Sequence, residues 1–135
     1  MGVSAVFPMY RIALICEGPT DGVILGAAID AILGKGWTLR PLQPPIGATG
    51  SGYGRFGSGW KGVRAYCKEA ANFCSGAEIR TALANNDVVI VQVDADIASD
   101  DEINCEKPCP PAAATVDRLR QEVCNWLGLK SLPVK

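Results

Sequence analysis

The sequence contains no histidine. That absence removes every hydrolytic triad built on an imidazole base and the commonest nitrogen ligand for zinc. No apolar run approaches the roughly 18 residues that predict a membrane-spanning helix. The N-terminus lacks a basic stretch followed by an apolar core and a small-residue cleavage site, so no secretory signal is predicted and a cytoplasmic, reducing setting is expected. The pattern G-x-x-x-x-G-K-[ST] does not occur, which excludes a P-loop nucleotide site. A formal net charge of −1 supplies no overall pull toward nucleic acid or acidic membranes.

What is present fits one globular domain. The chain has 135 residues, 48% of them apolar and 20% charged, enough to bury a core and too apolar for extended disorder. Its charge is distributed unevenly. Between Lys35 and Arg80 lie seven basic and two acidic residues; between Asp94 and Glu106 lie six acids and no base. A polyanion bound through a metal needs both kinds of surface, cations for its phosphates and carboxylates for the ion.

Of the six cysteines, Cys16 and Cys124 sit in apolar patterns and are predicted in the core. Cys105 and Cys109 have a spacing able to hold zinc, with Cys67 and Cys74 left to complete the set. True zinc sites usually present two tight pairs, so zinc is not expected.

The elements alternate. A leader at residues 1–10 precedes a domain over 11–135. Arg11–Cys16 reads as a buried parallel strand. Thr20 and Asp21 are good helix N-cap types ahead of a helix over Gly22–Leu33, which Gly34 and Gly36 close. Trp37–Leu42 reads as a second strand that Pro41 confines to an edge. A Gly/Pro/Ser loop over 43–59 leads to helices over Trp60–Cys74 and Ala77–Ala84. Asp87–Val93 is a third strand, rich in β-branched residues, and a helix over Ala112–Leu127 follows a polar loop. This β-α-β-loop-α-β-loop-α order predicts an α/β fold: a Rossmann-like parallel sheet of three to four strands flanked by helices.

In such sheets ligands bind beyond the carboxyl ends of the strands. Glu17 follows the first strand; Asp94 and Asp96 follow the third, on one side of an extended backbone with Ala95 opposite. Asp21 stands across the strand-to-helix turn from Glu17. Carboxylates crowded at strand ends repel one another, and a divalent cation relieves that repulsion. Oxygen ligands that leave room for water suit magnesium, with manganese as the alternative.

The segments ICEGPTDG and VVIVQVDAD resemble the TOPRIM domain, the catalytic module of topoisomerases, bacterial-type primases and the overcoming-lysogenization-defect (OLD) nucleases. The resemblance spans roughly residues 11–128. It implies Glu17 as general acid/base or metal ligand and Asp94 and Asp96 as magnesium ligands. Asp21 would support a second ion, as in the OLD-type arrangement. It further implies phosphodiester chemistry on nucleic acid, DNA before RNA. The family has a fourth strand, which residues Leu132–Lys135 would begin, so a fragment or minimal domain is expected. A sheet truncated in that way exposes an apolar edge, which favours a homo-oligomer or a partner domain beyond the C-terminus.

Arg55, Lys61 and Arg64 are the expected phosphate contacts, being carried on the loop and helix start after the second strand. Each choice has a plainer counterpart. Asp21 suits an N-cap, and Arg64 with Lys68 suits a solvated helix face. Tyr53, Phe56 and Trp60 suit base stacking, although Phe56 and Trp60 equally suit anchoring the loop. Asp100, Asp101 and Glu102 read as a solvated loop. The competing functional reading is a non-catalytic domain that binds a nucleotide or partner at the same acidic edge.

Overall fold

In the computed structural model, which describes residues 9–45, 55–72, 76–105 and 113–130, the first apolar run forms β1, Tyr10–Ile15. Tyr10, assigned above to the leader, is therefore a strand residue; residues 1–8 and the close of the chain after Lys130 lie outside the described residues. Strands β2, Trp37–Gln43, and β3, Val88–Val91, flank β1 in the order β2-β1-β3. Both pairings are parallel: Ile12 sits opposite Leu39 on one side and opposite Val88 on the other. Pro41 lies on the outer strand β2 opposite Leu14, and the register of the ladder shifts just beyond it, between Leu14 and Ile15.

Being central, β1 is buried on both faces. Ile12, Ala13, Leu14 and Ile15 are all under 5% exposed, as the unbroken apolar run requires. Successive side chains point to opposite faces. On one face lies α1, Pro19–Leu33. A methyl group added at Gly22 would meet Leu14 Cδ2 at 3.6 Å, and one at Gly26 would meet Leu39 Cδ2 at 3.8 Å, so the helix rests on the sheet through a glycine stripe. On the other face Ile15 joins the main core with Val63 and Cys67 of α2, Gly59–Asn72, and Leu119, Val123 and Trp126 of α4, Ala113–Trp126. Helix α3, Ala77–Asn85, adds Ile79 to the same core.

Two features depart from what the local pattern alone would give. Helix α1 is rich in apolar residues, yet none of its residues is buried, and Val23, Ile24 and Ile32 are 73%, 62% and 80% exposed. The helix is apolar around its whole circumference, so the small glycine stripe meets the sheet and the large side chains remain outside. The second concerns Asp94 and Asp96. The ladder stops at Val91, with Gln92 N–H still donating to the Ile15 carbonyl at 2.8 Å, and Ala95–Ser99 then coils into a 3-10 helix. That turn buries Ile97 and Ala98, which a straight extended segment would not do. Strand alternation therefore does not align the two aspartates.

Outside β3 an apolar channel of about 960 Å³ runs beside the strand, lined by Leu25, Leu83, Val89, Val91, Val116 and Leu129 among others. Among the described residues no strand pairs with that outer edge, and Val88 is 47% exposed there. Cys16, Cys67 and Cys124 are buried free thiols and Cys105 is half-buried. Cys74 and Cys109 lie outside the described residues. Among the described residues no helix is long and apolar enough to cross a membrane.

Candidate functional site

The chain leaves β1 through Cys16 and reaches Glu17 at the carboxyl end of the central strand. Two bonds fix the Glu17 backbone. Its N–H donates to Gln92 Oε1 at 3.2 Å, and its carbonyl accepts the N–H of Gly59, the first residue of α2, at 2.8 Å. The Glu17 side chain is less settled. Its Oε1 is buried with no hydrogen-bond partner. A carboxylate in that position is costly to ionise. Burial first and the charge of Asp94 second, with Asp96 and Asp21 adding and a hydrogen bond from the Asp94 backbone pulling the other way, together raise the Glu17 carboxyl to about 7.

The fold thus brings all four sequence-selected acids into one electrostatic neighbourhood by different routes. Asp94 stands at the entry of the 3-10 helix, and its Oδ1 accepts a hydrogen bond from Gln92 Nε2 at 2.9 Å. Asp96 lies in the first turn of that helix, exposed, with its carbonyl accepting the Ser99 hydroxyl at 3.1 Å. Asp21 lies in the first turn of α1. It is not the cap of that helix: Gly18 occupies the cap position, with Pro19 as the first helical residue. The Asp21 carboxylate instead lies over Gly18, where an added methyl would come 3.6 Å from its Oδ2. The Cys16 thiol donates to the Gly18 carbonyl at 3.2 Å.

This neighbourhood suits a divalent cation in its chemistry. It is all oxygen, and it includes one buried carboxylate oxygen with nothing to bond. It is not gathered for immediate chelation. Among the described residues no three histidine, cysteine, aspartate or glutamate side chains stand close enough together to hold an ion.

Gln92 is the residue that sequence reasoning missed. It interrupts VVIVQV, a polar residue in an otherwise apolar run, and it bonds both to Glu17, 75 residues away in sequence, and to Asp94, two residues on. Gln43 has a parallel role at the end of β2. It is 1% exposed, and its Nε2 donates to the Gly57 carbonyl at 2.7 Å, holding the segment that leads into α2.

The expected phosphate contacts are all engaged by acids. Arg55 pairs with Glu69 at 2.7 Å; Lys61 and Arg64 both pair with Glu102, at 2.8 and 2.5 Å. Glu102, read above as part of a solvated loop, is therefore a held carboxylate. Hydrogen bonds from Lys61 and then Arg64 lower it to about 2, and the same contact raises Lys61. Phe56 and Trp60 anchor the segment rather than standing free: Phe56 meets Tyr66 edge-on at 5.7 Å, and Trp60 stacks on Trp126 at 6.1 Å. Tyr53 lies outside the described residues.

No protein-family model, curated protein or solved structure matches this chain.

Proposed function

We propose that this domain carries out magnesium-dependent phosphodiester chemistry on nucleic acid, as a nuclease-like domain of TOPRIM type. The observation that carries the reading is the buried, unpartnered Glu17 Oε1 with three further carboxylates acting on it. A carboxyl group held at about 7 both takes and gives a proton near neutral pH, which is what a general acid/base must do. Asp94 and Asp96 would hold Mg²⁺, or Mn²⁺ in its place, with Asp21 supporting a second ion and Glu17 acting either as the general acid/base or as a further ligand. When bound, the ion stabilises charge developing on phosphoryl oxygens. The chain's own part is then positional. Gln92 holds Asp94 against the end of β1, and Gly59 ties the start of α2, with its cations, to the same edge. DNA is the expected polymer, before RNA.

Calorimetric titration with Mg²⁺ and Mn²⁺ tests the proposal, comparing the native chain with Asp94→Ala/Asp96→Ala. Saturable binding lost in the double variant, together with metal-dependent cleavage of a DNA substrate, is expected. A second reading has its own support: the acids are not gathered in advance, and the three cations are paired with acids. It makes the domain a non-catalytic binder of a nucleotide or partner protein. Metal binding without any cleavage, or no metal binding in either protein, would favour it.

A further inference from the structure

The ion pairs on α2 have a geometry that solvated surface charges do not need. Glu102 gives one oxygen to each cation: Oε1 to Lys61 Nζ at 2.8 Å and Oε2 to Arg64 Nη1 at 2.5 Å. Both cations also lie over the ring of Trp60, at 5.5 and 4.7 Å from its centre. Trp60 is fixed in turn by stacking on the buried Trp126. The Arg64 side chain is only 25% exposed, so it is pre-oriented by packing and not free to sweep the solvent.

Glu102 is presented just as firmly from the opposite side. It sits in a turn whose Asp100 carbonyl accepts the N–H groups of Ile103 and Asn104, while Asp100 Oδ1 accepts the N–H of Glu102 at 3.0 Å. Ile103 anchors that turn in the core, and Asn104 closes it in the left-handed region at φ 51°. One packed cation, Arg64, and one exposed cation, Lys61, each meet one oxygen of the same anion above an aromatic floor, and together form an anion seat with a carboxylate in it. The seat opens on the first two turns of α2, whose first residue is bonded to Glu17. It therefore lies on the edge of the sheet where the acidic site is.

We propose that Lys61 and Arg64 form a phosphate seat that Glu102 fills in the free protein and leaves when a phosphate group binds. A phosphate offers two oxygens at nearly the spacing of a carboxylate and carries more charge, so it competes for the same two donors. Glu102 thereby raises the threshold for binding: a weakly held anion does not displace it, and one held elsewhere at the site does. The seat stands on its own ion pairs. Its service to a nucleic-acid backbone rests on the function proposed above.

The test is a metal-free calorimetric titration in chelator with two probes, inorganic phosphate and a short single-stranded DNA without terminal phosphate. Glu102→Gln keeps the shape and removes the competing charge. It is expected to bind inorganic phosphate about tenfold more tightly than the native chain, since two ion pairs no longer compete. Adding Lys61→Ala and Arg64→Ala to that variant should abolish the gain. Asp117→Asn, which changes net charge equally but frees Arg120 of α4 instead, should leave phosphate binding unchanged. A gain with both probes assigns the seat to backbone phosphates; a gain with inorganic phosphate alone assigns it to a free phosphate group. No gain in Glu102→Gln overturns the proposal, as does an equal gain in Asp117→Asn or one that survives loss of both cations. Because no metal is present, failure here leaves the acidic site untouched, and failure of metal binding leaves the seat untouched.

Discussion

The backbone N–H of Gly59 donates to the carbonyl oxygen of Glu17 at 2.8 Å, so α2 begins where β1 ends. One hydrogen bond thus sets the acids of the strand ends beside the cations of the helix. The function proposed above depends on how that corner is held, and its parts are separable by substitution.

Glu17 makes stability depend on pH. Its folded carboxyl titrates at about 7 against 4.5 for the ordinary group, so between those values the folded state holds a proton that the unfolded chain has released. Its contribution is therefore fully present below pH 4.5 and is lost as pH rises through 7. Urea denaturation in chelator should show the native chain losing more stability from pH 5 to pH 8 than Glu17→Gln does. Glu102, lowered to about 2, acts in the opposite sense but only below that window. Equal pH dependence in the two proteins would contradict the environment assigned to Glu17.

Gln92 holds Asp94 through a hydrogen bond to its Oδ1, and under the proposed function it would position that carboxylate for metal without being a ligand. Gln92→Leu keeps the bulk and removes both bonds, to the Glu17 N–H and to Asp94 Oδ1. Loss of such an orienting partner typically weakens metal binding by about tenfold or more. Mn²⁺ affinity should fall by that amount while the fold, followed by circular dichroism, remains. Unchanged affinity would remove Gln92 from the site.

Gly62 is where the loop returning to α2 presses on the helix. A methyl group there would stand 2.7 Å from the Gly57 carbonyl oxygen and 3.1 Å from that of Phe56, both backbone atoms. Gly62→Ala should cost about 1–3 kcal/mol in chemical denaturation, the range for forced overpacking. Gly26→Ala is the control. Its new methyl meets only Leu39 at an ordinary 3.8 Å, and the gain in helix propensity should stabilise by up to about 1 kcal/mol. Equal effects at the two positions would show that the close approach at Gly62 is not restrictive.

Much of this architecture was legible in the chain itself. RIALIC is apolar without interruption because β1 is covered on both faces, and Pro41 marks β2 as an outer strand because a ladder N–H is missing there. Glu17 and the Asp94/Asp96 pair were found because strand ends in parallel sheets share an edge. The 3-10 turn after Asp94 was not legible: it forms to bury Ile97 and Ala98 against helices far away in sequence, and a local pattern of alternation carries no sign of that. Nor did the sequence disclose the partners of the cations. Arg64 and Glu102 are 38 residues apart and Arg55 and Glu69 are 14 apart, distances that only the folded chain closes. Gln92 was visible as an oddity in an apolar strand, but its meaning required both of its partners.

The position of β1 between its two neighbours gives its two pairings unequal costs of loop closure. Its pairing with β2 closes a short stretch of chain through α1, whereas its pairing with β3 brings Ile12 to Val88 and must close a far longer loop. The entropy of that closure has to be met before any contact rewards it. Gln92, Asp94 and Asp96 arrive only with β3, and Glu102 with the turn beyond it. A chain that has folded its first half alone therefore presents Glu17 with neither its bridge nor its acidic neighbours across the edge, and the corner acquires its chemistry in the same event that completes the sheet.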